Sequence, residues 1–220
     1  MAIDLRDPRL RPFYDRLARH DLPLIVHCGE EKAVPGAGRD ELGNPLLVRA
    51  PLAAGVRVVV AHCASLGEAL DLDQRRPTRR PAFELFARLM DEPEWRGRLL
   101  GDVSALFQAN RAPAVWRRVL QREDWHPRLL HGSDYPLPGV GLLYSTARLV
   151  RAGLITPDQV APLERLREHN PLLFDFALKR LATSGGARLS DTVFDTRRHW
   201  APAPAATAMP AAVDRAGTTT

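Results

Sequence analysis

Apolar residues along the chain fall into short runs that stop abruptly on polar side chains. The clearest are Leu22-Pro23-Leu24-Ile25-Val26-His27, Val56-Arg57-Val58-Val59-Val60-Ala61-His62, Leu99-Leu100-Gly101-Asp102-Val103-Ser104 and Arg128-Leu129-Leu130-His131. Runs of this length with almost no alternation predict parallel strands buried on both faces. Between them, apolar residues recur at helical spacing. Residues 8–20 place Leu10, Phe13, Tyr14 and Leu17 on one face, with Asp7 as N-cap and Pro8 at the first helical position. Residues 79–91 carry Phe83, Leu85, Phe86 and Leu89, and residues 111–122 carry Val115, Trp116, Val119 and Leu120. Further helices are predicted over 45–54 (capped by Asn44), 142–152, 157–168 (opened by Thr156-Pro157-Asp158) and 171–182 (opened by Asn170-Pro171). The last has Leu172, Leu173, Phe174, Phe176 and Leu178 as its apolar set.

Strand then helix, four times over, predicts a parallel sheet with right-handed crossovers. Residues 28–43 and 64–77 read as long loops, which in a compact domain are usually functional or disordered. The domain prediction is one α/β unit over 1–183 and an irregular extension over 184–200. A disordered Ala/Pro/Thr tail follows over 201–220.

Composition narrows the setting. A content of 45% hydrophobic and 26% charged residues in 220 is that of a globular protein with one sizeable core. There is no apolar run of membrane-spanning length. The first residues, Met1-Ala2-Ile3-Asp4-Leu5-Arg6-Asp7, are charged too early for a secretory signal. Cys28 and Cys63 are too few for a disulfide scaffold, so a reducing cytoplasm is expected. Each directly follows a strand-end histidine, and strand alternation turns them away from that histidine into packing. The net charge is +5, carried almost entirely by arginine. Arg75, Arg76, Arg79 and Arg80 form a basic cluster without a nucleic-acid motif. It suits contact with an anion or carboxylate rather than nucleic acid.

The candidate chemistry sits where strands end. His27, His62 and Asp134, the last in His131-Gly132-Ser133-Asp134-Tyr135-Pro136, all lie at carboxyl ends, where parallel α/β architectures bind ligands. Taken singly each has a plain reading: a hydrogen-bonding loop histidine, or an aspartate making an Asx-turn. Their coincidence at equivalent ends points to a metal site. Neutral imidazole and carboxylate suit zinc, manganese or iron. A nearby carboxylate can take a proton from metal-bound water and return it to a leaving group. His131 is a candidate supporting residue for that site. Asp102 is expected to make a structural hydrogen bond. Glu30 and Glu31 read as solvated loop charges, His20, His126 and His169 as structural, and His199 as part of the irregular extension.

The segments Pro23-Leu24-Ile25-Val26-His27, Val59-Val60-Ala61-His62-Cys63-Ala64 and His131-Gly132-Ser133-Asp134-Tyr135-Pro136 resemble strands five, six and eight of the amidohydrolase superfamily. The closest likeness is to its amidohydrolase-related branch of metal-dependent hydrolases and decarboxylases. Asn170-Pro171-Leu172-Leu173-Phe174 resembles that branch's terminal helix, and the resemblance covers about residues 8–182. It implies an α/β fold that is the C-terminal half of a (β/α)8 TIM barrel, four parallel strands with their helices. It also implies a metal ligand at His27, a ligand or substrate-polarising group at His62, and a ligand and proton shuttle at Asp134. The implied cofactor is a divalent metal, with zinc the leading choice, and the implied partner is a small carbonyl or carboxylate substrate. The family's first-strand His-x-His is absent from the chain, so the N-terminal half lies outside it. Three functions then remain: a hydrolase, a metal-dependent carboxy-lyase, and a non-catalytic half barrel whose open sheet edges favour a homo-oligomer.

Overall fold

The protein is described from a computed structural model covering residues 3–30 and 38–200. Glu31 and the tail 201–220 lie outside the described residues. In chain order the strands are β1 (Leu24–His27), β2 (Val58–Ala61), β3 (Glu68–Leu70), β4 (Arg79–Pro81), β5 (Leu99–Asp102) and β6 (Leu129–Leu130). The helices are α1 (Arg11–Arg19), α2 (Arg49–Ala53), α3 (Ala82–Asp91), α4 (Pro113–Gln121), α5 (Thr146–Arg151), α6 (Val160–His169), α7 (Pro171–Leu181) and α8 (Asp191–Phe194).

β1, β2, β5 and β6 form one parallel sheet in that order. Every new strand adds to the same side of the one before. A doubly wound sheet reverses direction at a switch point; a barrel does not. The topology is therefore that of half a (β/α)8 barrel, as the strand pattern predicts. Val58, Val60, Leu99 and Leu129 face the helices and join the main core. Val59, Leu100 and Leu130 form a separate small cluster. They alternate with the first set, so they lie on the opposite, barrel-interior face. Ile25 pairs in register with Val59 but is 59% exposed.

α3 and α4 bury the apolar stripes read from their spacing. Phe86 stands edge-on to Trp125, centroids 6.3 Å apart, and lies beneath Gly101 of β5. A Cβ at Gly101 would meet Phe86 Cζ at 2.7 Å, Cys63 Sγ at 3.0 Å and Leu129 Cδ2 at 3.3 Å. Gly101→Ala is accordingly expected to destabilise the fold by about 1–3 kcal/mol through overpacking. A lowered urea midpoint with an unchanged slope would register this.

Four features depart from the sequence pattern. The helix expected over 79–91 begins only at Ala82. Pro81 disfavours helical geometry in Arg80, so residues 79–81 instead pair antiparallel with β3, inside what reads as a loop. In α1 only one of the adjacent Phe13 and Tyr14 can face inward, because neighbours on a helix point about 100° apart. Tyr14 does, donating from its hydroxyl to the Leu5 carbonyl at 2.9 Å, and Phe13 is 48% exposed. α7 buries Phe174, Asp175, Leu178 and Lys179, and leaves Leu172, Leu173 and Phe176 exposed. Residues 184–200 contain α8 and a 3-10 turn at Thr196–His199. This segment starts beside β6, where His131 N donates to the Val193 carbonyl at 2.8 Å, and reaches the start of β2, where Arg57 Nη1 donates to the His199 carbonyl at 2.8 Å. No helix among the described residues is long and apolar enough to cross a membrane.

Candidate functional site

β1 ends on His27, and β2 delivers His62 one residue past its end. Parallel in-register pairing of His27 with Ala61 puts the two imidazoles side by side, ring centroids 5.5 Å apart and 70° tilted. Past β2 the backbone turns sharply. His62, Cys63 and Ala64 all adopt positive φ, at 54°, 51° and 49°. A run of three non-glycine residues in this region is strained and persists only where the surroundings enforce it. Here Asp102 does so from the end of β5. Its Oδ1 accepts from His62 N (3.2 Å) and Ser104 N (2.8 Å), and from the Ser104 hydroxyl; its carbonyl accepts from Cys63 Sγ (3.1 Å).

These contacts set the His62 tautomer. The Ser104 hydroxyl donates to Asp102, so its oxygen is left as an acceptor towards His62 Nδ1, 2.8 Å away. The Ser104 carbonyl, 3.2 Å from the same nitrogen, can only accept. In the neutral ring Nδ1 therefore carries the proton, and Nε2 the lone pair. That lone pair faces Asp134 Oδ2 at 4.0 Å. Asp134, with φ 57°, closes the turn after β6, and its carbonyl accepts from Leu137 N at 3.0 Å. The gap between Nε2 and Oδ2 is wider than a hydrogen bond and close to the spacing of two ligands on one cation. Ser104→Ala removes the hydroxyl and keeps the backbone carbonyl 3.2 Å from Nδ1, so imidazole 15N shifts should report an Nδ1-protonated His62 in the wild type and a reduced Nδ1-protonated fraction in the variant.

The amidohydrolase family model matches residues 1–173. The chain belongs to the amidohydrolase family. Within this amidohydrolase-family chain the matched span contains His27, His62 and Asp134 but not all of α7. An uncharacterized TIM-barrel protein from Bordetella bronchiseptica is a structural neighbour at 18% identity and a TM-score of 0.46. The match covers 79% of this chain and 53% of that one, so the chain spans about half that protein's length. No curated protein matches the chain.

The structure brings His27, His62 and Asp134 of this amidohydrolase-family chain to one mouth. Among the described residues, however, no three His, Cys, Asp or Glu side chains are placed to close around an ion. The donor chemistry fits a divalent metal, as two imidazoles and a carboxylate with His62 already in a ligating tautomer. The set is open rather than complete. Asp102 makes structural hydrogen bonds, as expected, and through Ser104 it also orients the candidate ligand. Cys28 and Cys63 are buried; burial pushes the Cys28 thiol up to about 12 and raises that of Cys63 as well, so both are packing groups. Glu30 is exposed. His126 is buried between the Val119 carbonyl and Ser190 N, a structural role. His20 and His169 are exposed at helix ends. The cluster Arg75, Arg76, Arg79 and Arg80 is exposed on and beside β4, and Arg79 pairs with Glu68 at 3.4 Å.

His131 sits apart from the ligand set. Its ring packs at 5.6 Å from Phe176 and 5.3 Å from Phe194, and its Nδ1 has no hydrogen-bond partner. Burial, and then the charge of Lys179, push it down from 6.5 to about 4. Between those two values the unfolded chain takes up a proton that the folded chain refuses. Stability is therefore expected to fall as pH drops from 6.5 towards 4. His131→Phe should flatten that slope in urea unfolding measured at several pH values.

Sequence reasoning overlooked Ser104 and the buried pair Asp175 and Lys179. Ser104 stands two residues beyond a strand-end aspartate, the spacing that returns a side chain to the same face. Lys179 is one of two lysines among 31 basic residues, a rare choice in a chain that otherwise uses arginine.

Proposed function

We propose that this chain forms half of the active site of a metal-dependent hydrolase acting on a small carbonyl or carboxylate substrate. His27 and His62 with Asp134 would hold the metal, zinc first among the divalent ions. Bound there, such a metal supplies an activated water of lowered pKa and polarises a carbonyl oxygen. Asp134 accepts the proton of the attacking water at its carboxylate and returns it to the departing atom. His62 stays in one tautomer throughout because Ser104 occupies its other nitrogen. The observation that carries this reading is His62 Nε2 facing the Asp134 carboxylate at 4.0 Å, with Nδ1 held against Ser104. Family membership supports hydrolase or lyase chemistry in general.

A second reading is favoured by the open ligand set. The chain works as a half barrel completed by another half or another copy, met along β1, whose outer side has no strand partner among the described residues.

Zinc content and competition titration of the purified chain test the first reading, followed by turnover on ester, amide and carboxylic-acid panels with and without chelator. Stoichiometric zinc lost in His27→Ala and His62→Ala supports it, and release of carbon dioxide would make the enzyme a carboxy-lyase. Zinc binding indifferent to both substitutions would sink it. Light scattering across a concentration series tests the second, which predicts a species heavier than the monomer.

A further inference from the structure

Two fully buried charges lie under the turn that carries Asp134. Lys179 and Asp175 are one helical turn apart on α7, their side chains are 0% exposed, and Nζ meets Oδ2 at 2.5 Å. Lys179 Nζ also donates to the carbonyl of Gly132 at 2.6 Å. A buried ion pair is a poor way to stabilise a fold, since an apolar pair of similar volume often does as well or better. Its geometry here is specific instead. Gly132 lies between β6 and Asp134, and a Cβ on it would stand 3.3 Å from Ser104 Cβ. The lysine therefore holds the turn against the residue that orients His62.

α7 is itself anchored for this task. Asn170 caps it by accepting from Leu173 N at 3.0 Å, and Phe174 and Leu178 fix its rotation in the core. His131 N, at the start of the turn, is tied to the Val193 carbonyl at 2.8 Å, but among the described residues the hydrogen bonds between Ser133 and Leu137 are local. Tyr135 N reaches Ser133 Oγ only at 3.3 Å, and the one further bond is Leu137 N to the Asp134 carbonyl at 3.0 Å. Burial disfavours the ammonium form of Lys179, and the charges of Asp175, Asp102 and Asp134 favour it. Asp175 counters the burial and leaves its own Oδ1 without a hydrogen bond.

We propose that Lys179, held by Asp175, is a positioning residue that pins the Gly132 carbonyl and thereby fixes the Asp134 carboxylate opposite His62 Nε2. It touches neither substrate nor metal. Its link to chemistry rests on the metal-site reading above; its hold on the turn does not.

The test compares the whole chain with the double variant Lys179→Met/Asp175→Leu, which removes both charges and retains bulk. The variant is expected to keep or raise its thermal midpoint. Backbone amides of Tyr135 and Leu137 should lose hydrogen-exchange protection while α3 and α4 keep theirs, and zinc affinity should weaken about 10–100-fold. A purely structural pair would leave those two amides and the zinc affinity unchanged in a folded variant, and either result overturns the proposal. If the wild type binds no zinc, the metal reading fails and the exchange comparison alone decides. If the variant does not fold, 15N-lysine NMR of the wild type decides. A through-bond coupling from Lys179 Nζ to the Gly132 carbonyl carbon is expected, and its absence overturns the assignment.

Discussion

On the proposed hydrolase reading, Asp134→Asn is expected to abolish turnover and to leave the fold in place. The substitution changes little except the ability to take a proton. Asparagine has the same size and keeps a carbonyl oxygen towards His62, but it cannot act as a base. The backbone supports the choice. Residue 134 lies at φ 57°, a region that asparagine tolerates nearly as well as any residue except glycine. Its carbonyl still accepts from Leu137 N, because that bond involves no side chain. Loss of a general base costs about 10²–10⁴-fold in rate, and weaker metal affinity adds to it. The measurement is kcat with a circular dichroism melt of the same preparation. A kcat near that of the wild type would remove Asp134 from the proton-transfer role.

Phe86→Ala carries the largest expected effect on stability, a loss of about 3–5 kcal/mol. The side chain is fully buried on α3, stands edge-on to Trp125 and contacts Phe83 at a centroid distance of 6.4 Å. Its ring tip fills the space that Gly101 leaves on the sheet. Truncation opens a cavity between α3 and β5 that neighbours cannot easily close, since the sheet backbone bounds one side. Because Gly101→Ala and Phe86→Ala act on one contact from opposite sides, they should be strongly non-additive. The alanine methyl at 101 would occupy part of the cavity, so the double variant should be more stable than the sum of single losses predicts. Equilibrium urea unfolding of all four proteins checks both statements.

The strands were the legible part of the sequence. Val58, Val59 and Val60 have no polar alternation because both faces of β2 are covered, and a run of that kind announces itself. Helices α3 and α4 were equally plain, with Phe86 and Trp116 at core spacing. The hairpin of β3 and β4 was not. Glu68, Arg79 and Arg80 are exposed, so no apolar pattern marks the pairing, and only Pro81 hints that the helix starts late. α7 misled for a different reason. Its apolar residues outnumber the buried face, and the face actually buried includes Asp175 and Lys179, which periodicity counts as polar. At the site, His27, His62 and Asp134 were visible as strand-end residues. The relay through Ser104 was not, because it joins the end of β5 to the turn after β2, and only the two-residue offset from Asp102 hints at it.

Cys63 follows the candidate ligand His62, donates to the Asp102 carbonyl, and sits with Phe86 and Leu129 against Gly101. The floor of the mouth and the interior of the helix layer are thus a single interlocked layer. Heating should therefore show one transition, in which the order of the turn at residues 62–64 and tertiary packing disappear at the same temperature. Improvement of such a protein by selection would meet the same coupling. Changes that reshape the mouth at residues 62–64 would need compensating changes on α3, and the two sets would be expected to arise together.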